Sequence, residues 1–326
     1  MDRADTVLRN ALVWDNVWPL EPWAGNDWDK LPDFARAGWN VLSLTIAGDD
    51  HSIAQAFARV AAARKRIRAD PSLVFVETVG DILAAKKSGK LAVTLHFEGT
   101  RCFERSLGVV EPFFRLGVRH TLLAFNASNS AGGGCAEKED GGLTMFGRKL
   151  IGEMERVGMM LDLSHVGART SLDALATATK PVLFTHSNAA AVHPHYRNLS
   201  DEQIRGCAAT GGLVGLSGSS DYLGDAAAST DALFRHLDHI VQLVGIDHVG
   251  LGLDLVFDAE AVSDFARRRA DEWPQARDPN WPGFRYAKLS QLLELVRLML
   301  DRGYGEDGVA KFLGGNYLRI ARAAWS

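Results

Sequence analysis

The chain has 326 residues, a formal charge of −4, 47% apolar residues and 23% charged residues. That composition excludes intrinsic disorder and supplies ample material for a buried core. Basic residues are scattered among acidic ones, which leaves no electrostatic footprint for a polyanion and argues against nucleic acid as a partner.

Residues 1–9 are charged and lack the apolar centre of a secretory signal, and no run of about 18 apolar residues occurs, so neither export nor membrane association is expected. Short runs rich in Val, Leu and Ile then recur, most of them followed by helical periodicity, the pattern of βαβ units. Strands are expected at 11–15 and 40–47, an amphipathic helix at 52–68, and an extra strand at 73–78. The third and fourth principal strands follow at 91–97 and 119–125. Gly132, Gly133 and Gly134 sit in a long loop with no following G-K-[ST], which reads as chain flexibility and not as a phosphate cradle. A helix at 144–157, strands at 159–164 and 181–185, and a capping box of Ser200 with Gln203 come next. A strand at 212–216, a helix at 231–244 and a strand at 248–253 complete the eight; 271–282, with three prolines and two tryptophans, reads as an irregular excursion before a helix at 287–301. Eight alternations without a G-x-G-x-x-G after the first strand favour a closed α/β barrel of the (β/α)8 TIM type over a doubly wound sheet. The expected organisation is one barrel domain over 1–326 with loop insertions and C-terminal helices. Cys102, Cys135 and Cys207 form no CxxC pair and no disulfide framework, so a reducing cytoplasm is the expected compartment.

In a parallel barrel, catalytic groups gather where strands end, so polar residues that terminate apolar runs are the informative ones. Glu98, His165, His186 and Asp254 are four such residues. His165 and His186 end consecutive strands 21 positions apart, about one αβ unit, which sets two imidazoles side by side at the barrel mouth. With Glu98 they make a His₂Glu set, one of the combinations that holds catalytic zinc and leaves a position for water. Asp254, across the mouth, is placed to orient that water and move its proton. Each residue alone has a structural reading: Glu98 as a helix N-terminal carboxylate, Asp254 as a loop cap, a single histidine as a hydrogen-bonded strand end. Their joint placement is what points to chemistry. His96 faces the opposite side of its strand from Phe97 and reads as packed or as supporting a ligand, and Asp162 as a structural hydrogen bonder. His193, His195, His236, His239 and His248 read as surface or capping residues.

From about Leu91 onward the sequence resembles the membrane dipeptidase (renal dipeptidase, peptidase M19) family of the amidohydrolase superfamily. The resemblance rests on Glu98-Gly99, Gly117-Val-Arg119, the segment from Gly158 to His165 ending in Asp-Leu-Ser-His, Thr185-His-Ser-Asn188, Arg197-Asn-Leu-Ser-Asp201, the Gly-x-Gly-x-Asp that ends at Asp254, and Gly314-Gly-Asn-Tyr-Leu-Arg319, in that order. It implies a (β/α)8 barrel that binds two zinc ions and hydrolyses dipeptides. Glu98 matches the carboxylate bridging both metals, His165 and His186 the remaining ligands of one, Asp254 the catalytic aspartate, and Arg197 the arginine that holds the substrate carboxylate. Two departures stand out. Residues 15–21 contain none of the histidine that the family supplies from strand 1, the first histidine in the chain being His51, and Phe125 followed by Asn126 stands where the family has a histidine on the scissile carbonyl.

Three readings of these departures stay open. One zinc on Glu98, His165, His186 and water keeps hydrolysis; Asp15 or Glu21 rebuilds a second site with oxygen ligands; or Val17, Trp18 and Phe125 fill the vacated volume and leave a metal-free binding protein. The expectation is thus a zinc hydrolase with one ion, two or none being the alternatives. Its substrate is a small molecule such as a dipeptide, with Arg197 and Asn126 as substrate-binding residues. A cyclic amide, lactone or N-acyl compound is the other substrate class, and homo-oligomer formation is left open.

Overall fold

In the computed structural model, which describes residues 2–20 and 24–325, the apolar runs become parallel strands. These are β1 (Trp14–Pro19), β2 (Val41–Gly48), β3 (Leu73–Phe75), β4 (Leu91–Glu98), β5 (Val118–Leu122), β6 (Met160–Asp162), β7 (Leu183–Phe184), β8 (Leu213–Leu216) and β9 (Val249–Leu251). β1 pairs with β2, β2 with β4, and the ring runs on through β5, β6, β7, β8 and β9 back to β1. β3 lies beside the ring, paired with β4 only from Leu91 to Val93, and β5 takes over the same edge from Leu95. The fold is a (β/α)8 barrel.

Strands covered by helices outside and by side chains inside have no wet face, which is why β2 and β4 are buried along all eight of their residues and read as continuous apolar runs. The inward positions are nevertheless polar midway up the axis. His96 points in, its ring nitrogens meeting Ser43 Oγ at 3.0 Å and Thr45 Oγ1 at 2.8 Å, and its ring stacks on His120 at 4.3 Å. The N-terminal end of the barrel is plugged by Trp14, Met160, Leu183 and Leu213, with Tyr317 and Ile320 of the helix Asn316–Ala324 beneath them. Chemistry is left to the C-terminal end.

Helix starts follow local signals. Ser52 with Gln55 and Ser200 with Gln203 form reciprocal capping boxes, and Thr144 caps Met145–Val157. β1 begins three residues later than the apolar run does, because Ala11 ends the helix Arg3–Asn10 and the next two residues are a buried connector, not paired strand. β6, β7 and β9 are shorter than their apolar runs. Around β6 and β7 the Asp162 carboxylate accepts the N–H groups of Ser164 and Thr185, replacing ladder bonds. The last long helix is Gln291–Asp301; the residues before it line a cavity, and Ala287 is hydrogen-bonded to Gly218 in the loop after β8. The excursion after β9 opens with a helix, Ala259–Arg268, that the sequence reading did not expect, followed by a 3-10 turn at Pro274–Arg277. No helix among the described residues is long and apolar enough to cross a membrane.

Candidate active site

Four strand ends on one rim carry the polar residues singled out from sequence. Two of them, His165 (φ 64°) and Asp254 (φ 54°), have backbones in the left-handed region, as does Asn126 (φ 51°) in the loop after β5. Such residues persist only where the surroundings hold them, and they concentrate at functional sites. Two glycines allow the close packing: Gly99 has φ 119° and a Cβ there would lie 2.3 Å from the Asp49 carboxylate, while a Cβ on Gly252 would lie 1.6 Å from the Thr185 carbonyl oxygen.

The donor atoms of Glu98, His165 and His186 lie within 4.8 Å of one another, all three residues buried. Each imidazole is held from behind in one tautomer. Thr185 Oγ1 has a single proton, which it donates to Asp162 Oδ2, so it can only accept from His186 Nδ1–H, 2.9 Å away. The His186 Nε2 lone pair is therefore left facing Glu98 Oε1 at 4.0 Å, buried and without a hydrogen-bond partner. His165 Nδ1 donates to Asn126 Oδ1 at 2.6 Å, and Cys135 Sγ lies 3.2 Å from the same oxygen. This bond frees His165 Nε2 as a lone pair. Burial, and then the Arg197 guanidinium, hold both imidazoles far below the usual histidine range, so both are neutral.

Arg197 is buried beside this group: its Nη2 donates to the His186 carbonyl at 3.0 Å, its guanidinium lies over Tyr222 at 5.0 Å, and its Nε has no partner. No carboxylate among the described residues lies within ion-pair distance of it. Burial pushes the Asp254 carboxyl up to about 6, the Arg197 charge opposing the rise. Phe125 stacks on His165 at 4.2 Å and meets Trp273 of the excursion edge-on at 5.6 Å, covering one face of the imidazole. A narrow cleft with about 30 Å³ of space for water, lined by Thr45, Asp49, His51, Phe125 and Phe265, opens onto Glu98.

The structure brings Glu98, His165 and His186 together and sets Asn126 against His165. Asp15 is not among the metal-capable group; it is buried, with its oxygens accepting the N–H groups of Val17 at 3.2 Å and Leu253 at 3.3 Å, and burial pushes its carboxyl up to about 7. Glu21 lies outside the described residues. Sequence reasoning missed Thr185 and Asp49. Asp49 accepts from Arg101 N, Phe125 N and the Asn129 amide, tying the loops after β2, β4 and β5 together. It ends the run of β2, so the rule applied to the other strands would have found it.

The sequence pattern of the membrane dipeptidase family (peptidase family M19) matches residues 25–265. The chain belongs to the membrane dipeptidase family. An uncharacterised dipeptidase of Schizosaccharomyces pombe is 37% identical over 193 residues, 56% of this chain and 46% of that protein. The dipeptidase tcpJ of Claviceps purpurea is 31% identical over 248 residues, 74% of this chain and 53% of that protein. The chain thus spans about half the length of the curated relatives it matches. An amidohydrolase structure from Pseudomonas aeruginosa shares 28% identity, covers 99% of both chains and superposes with a TM-score of 0.89.

Within this dipeptidase-family barrel the His₂Glu group fits a metal ion: two neutral imidazoles with fixed tautomers, a carboxylate, and a buried lone pair that no protein donor meets. Among the described residues a second ion finds no comparable set. Asp15 is bonded to backbone amides, and Val17 and Trp18 are buried in β1 where further ligands would be needed.

Proposed function

We propose that this chain is a zinc-dependent hydrolase of dipeptidase type, cleaving the amide bond of a small substrate that carries a free carboxylate. The observation that carries this reading is the buried His186 Nε2 lone pair, unpartnered and 4.0 Å from Glu98 Oε1. Glu98, His165 and His186 would hold one ion, which when bound supplies a Lewis acid and lowers the pKa of a water to about 7.

The chain's own residues supply the rest. Arg197 receives the substrate carboxylate: its planar fork suits a bidentate anion, no carboxylate among the described residues lies within ion-pair distance of it, and its bond to the His186 carbonyl keeps that anion beside the reacting centre. Asp254 is ionised at neutral pH yet basic enough to take a proton from the attacking water and return it to the leaving amine. Charge balance favours a single ion. Glu98 and Asp254 against Arg197 sum to −1; one divalent cation makes +1, and the substrate carboxylate brings the buried centre to zero, which limits the desolvation penalty. The names of the relatives support the substrate class. The unpaired cysteines support a reducing compartment such as the cytoplasm.

The test is zinc titration into metal-stripped protein with a panel of dipeptides. Stoichiometric zinc binding that is lost in His165→Ala and His186→Ala, with zinc-dependent turnover, is expected. Absence of both zinc binding and turnover refutes the reading. A ligand-binding barrel without catalysis predicts instead that His165→Ala and Asp254→Asn leave dipeptide affinity intact.

A further inference from the structure

We propose that His120, inside the barrel beneath the metal-capable group, is a positioning residue: its imidazole holds Asp162 as a carboxylate and so keeps the chain Asp162, Thr185, His186 in the one polarity that leaves a lone pair for a metal. The proposal rests on the metal reading of Glu98, His165 and His186.

Strand register puts His120 there. β4 and β5 pair His96 with His120, and the two rings stack at 4.3 Å with 11° between their planes. Ser43 and Thr45 fix His96 through its two nitrogens, so the ring lying on it has a rigid neighbour. His120 is fully buried, burial pushes it down to about 3, and neither of its nitrogens has a hydrogen-bond partner. An apolar ring of similar shape would fill this space without leaving two buried polar atoms unmet, so packing alone does not account for a histidine here. Its Nε2 lies 4.0 Å from Asp162 Oδ2, and among the described residues no lysine or arginine comes within ion-pair distance of that carboxylate. A neutral His120 with its proton on Nε2 turns the positive end of the N–H bond toward Oδ2.

The chain beyond Asp162 can run in two directions. With Asp162 ionised, the Thr185 hydroxyl donates to Oδ2 and accepts from His186 Nδ1–H, which leaves the Nε2 lone pair bare. If Oδ2 takes a proton from water, it donates to Thr185 Oγ1, the threonine proton turns to His186 Nδ1, and the imidazole carries its own proton on Nε2, where a metal would bind. The second direction has two forces behind it. Burial pushes the Asp162 carboxyl up, and Glu98 Oε1, 4.0 Å from His186 Nε2, attracts a proton there while no metal is bound. Against it stand the Ser164 and Thr185 amides on Oδ1, the Thr185 hydroxyl on Oδ2, and His120. His120 is the member of that set that touches neither His186 nor the backbone ladder, so it acts on the metal-capable group only through Asp162.

The experiment reads the His186 tautomer directly, by two-bond proton–nitrogen spectra of metal-stripped protein labelled with nitrogen-15 histidine, and zinc affinity by chelator competition. Wild type is expected to hold the His186 proton on Nδ1. His120→Phe, which keeps the stacked ring and removes both nitrogens, moves that proton to Nε2 in most molecules and lowers zinc affinity about tenfold, the fall that corresponds to a metal-competent fraction of about one tenth. His120→Gln, with an amide N–H at the reach of Nε2, restores both within about threefold. In Asp162→Asn the two backbone amides keep the amide oxygen at the Oδ1 place, so its NH₂ donates to Thr185 and the chain is reversed outright; adding His120→Phe to that variant then changes zinc affinity less than twofold. A folded His120→Phe protein with the wild-type tautomer and zinc affinity within twofold overturns the proposal, as does a full tenfold effect of His120→Phe in the Asp162→Asn background. If melting curves show that His120→Phe does not fold, Asp162→Asn alone decides, and a His186 proton still on Nδ1 overturns it. Wild type that binds zinc and cleaves no dipeptide refutes the dipeptidase reading without touching these readouts, and wild type that binds no zinc refutes the metal reading while the tautomer comparison still stands.

Discussion

Replacing Thr185 by valine keeps the shape of the side chain and removes one oxygen on which two buried groups depend. Asp162 Oδ2 loses the hydroxyl that donates to it, and His186 Nδ1–H loses its acceptor. Asp162 keeps the Ser164 and Thr185 amides on its other oxygen, so its loss is partial. A buried polar group left unpaired costs about 1–3 kcal/mol, which for these two predicts about 2–5 kcal/mol of lost stability. The effect on metal is separate. Without the hydroxyl nothing holds the proton on Nδ1, the Nε2 lone pair is no longer the enforced state, and zinc affinity falls by about 10- to 100-fold, the usual consequence of losing a partner behind a metal-bound histidine. Competition with a chromogenic chelator measures that affinity, and unfolding curves with and without zinc give the stability terms. Thr185→Ser, which restores the hydroxyl, should recover most of the affinity. A folded Thr185→Val protein that binds zinc within twofold of wild type refutes the tautomer argument.

Asp254, pushed up to about 6 by burial, must be ionised to accept a proton. The wild-type kcat/KM should therefore fall tenfold per pH unit below about 6, and Asp254→Asn should lower kcat by about 10²- to 10⁴-fold while zinc affinity stays unchanged. A pH profile flat from 5 to 7 would contradict this. Phe125→His exchanges the ring on His165 for a polar group facing the reacting carbonyl and should raise dipeptide kcat/KM by about tenfold or more; a fall in steady-state assays argues that the aromatic cover is itself required. Asp15, raised by burial from 3.8 to about 7, binds its proton more tightly folded than unfolded. Its contribution is present below about pH 4 and is lost as pH rises through 7, so wild-type melting temperature should drop across that window more than that of Asp15→Asn. Equal drops in the two proteins would exclude the mechanism.

The barrel was legible because parallel strands buried on both faces leave uninterrupted apolar runs, and each of the eight runs does contain a strand of the ring. The boundaries were not, for a reason visible at Asp162 and Asp254. β6 and β9 stop where a polar side chain or a left-handed residue takes over from the ladder, and apolar residues continue past that point because they remain buried. The helix Ala259–Arg268 escaped because it packs over the mouth of the barrel and not into the alternation of strand and helix that guided the reading.

The same distinction separates the parts of the site that could be read from those that could not. Glu98, His165, His186 and Asp254 are acidic or basic residues interrupting apolar runs, so their position alone carries a signal. Thr185 and Asn126 carry none, since a threonine in a strand and an asparagine in a turn are ordinary; their consequence comes from one proton and one lone pair aligned across separate strands. Asp50 and Arg269, paired across the cleft that opens onto Glu98, lie 219 residues apart, and only the closed ring brings the loop after β2 against the excursion after β9. A sequence therefore exposes the groups that do chemistry sooner than those that fix tautomers or close a cleft, because the former are rare residue types at rare positions and the latter are common residues made consequential by contact.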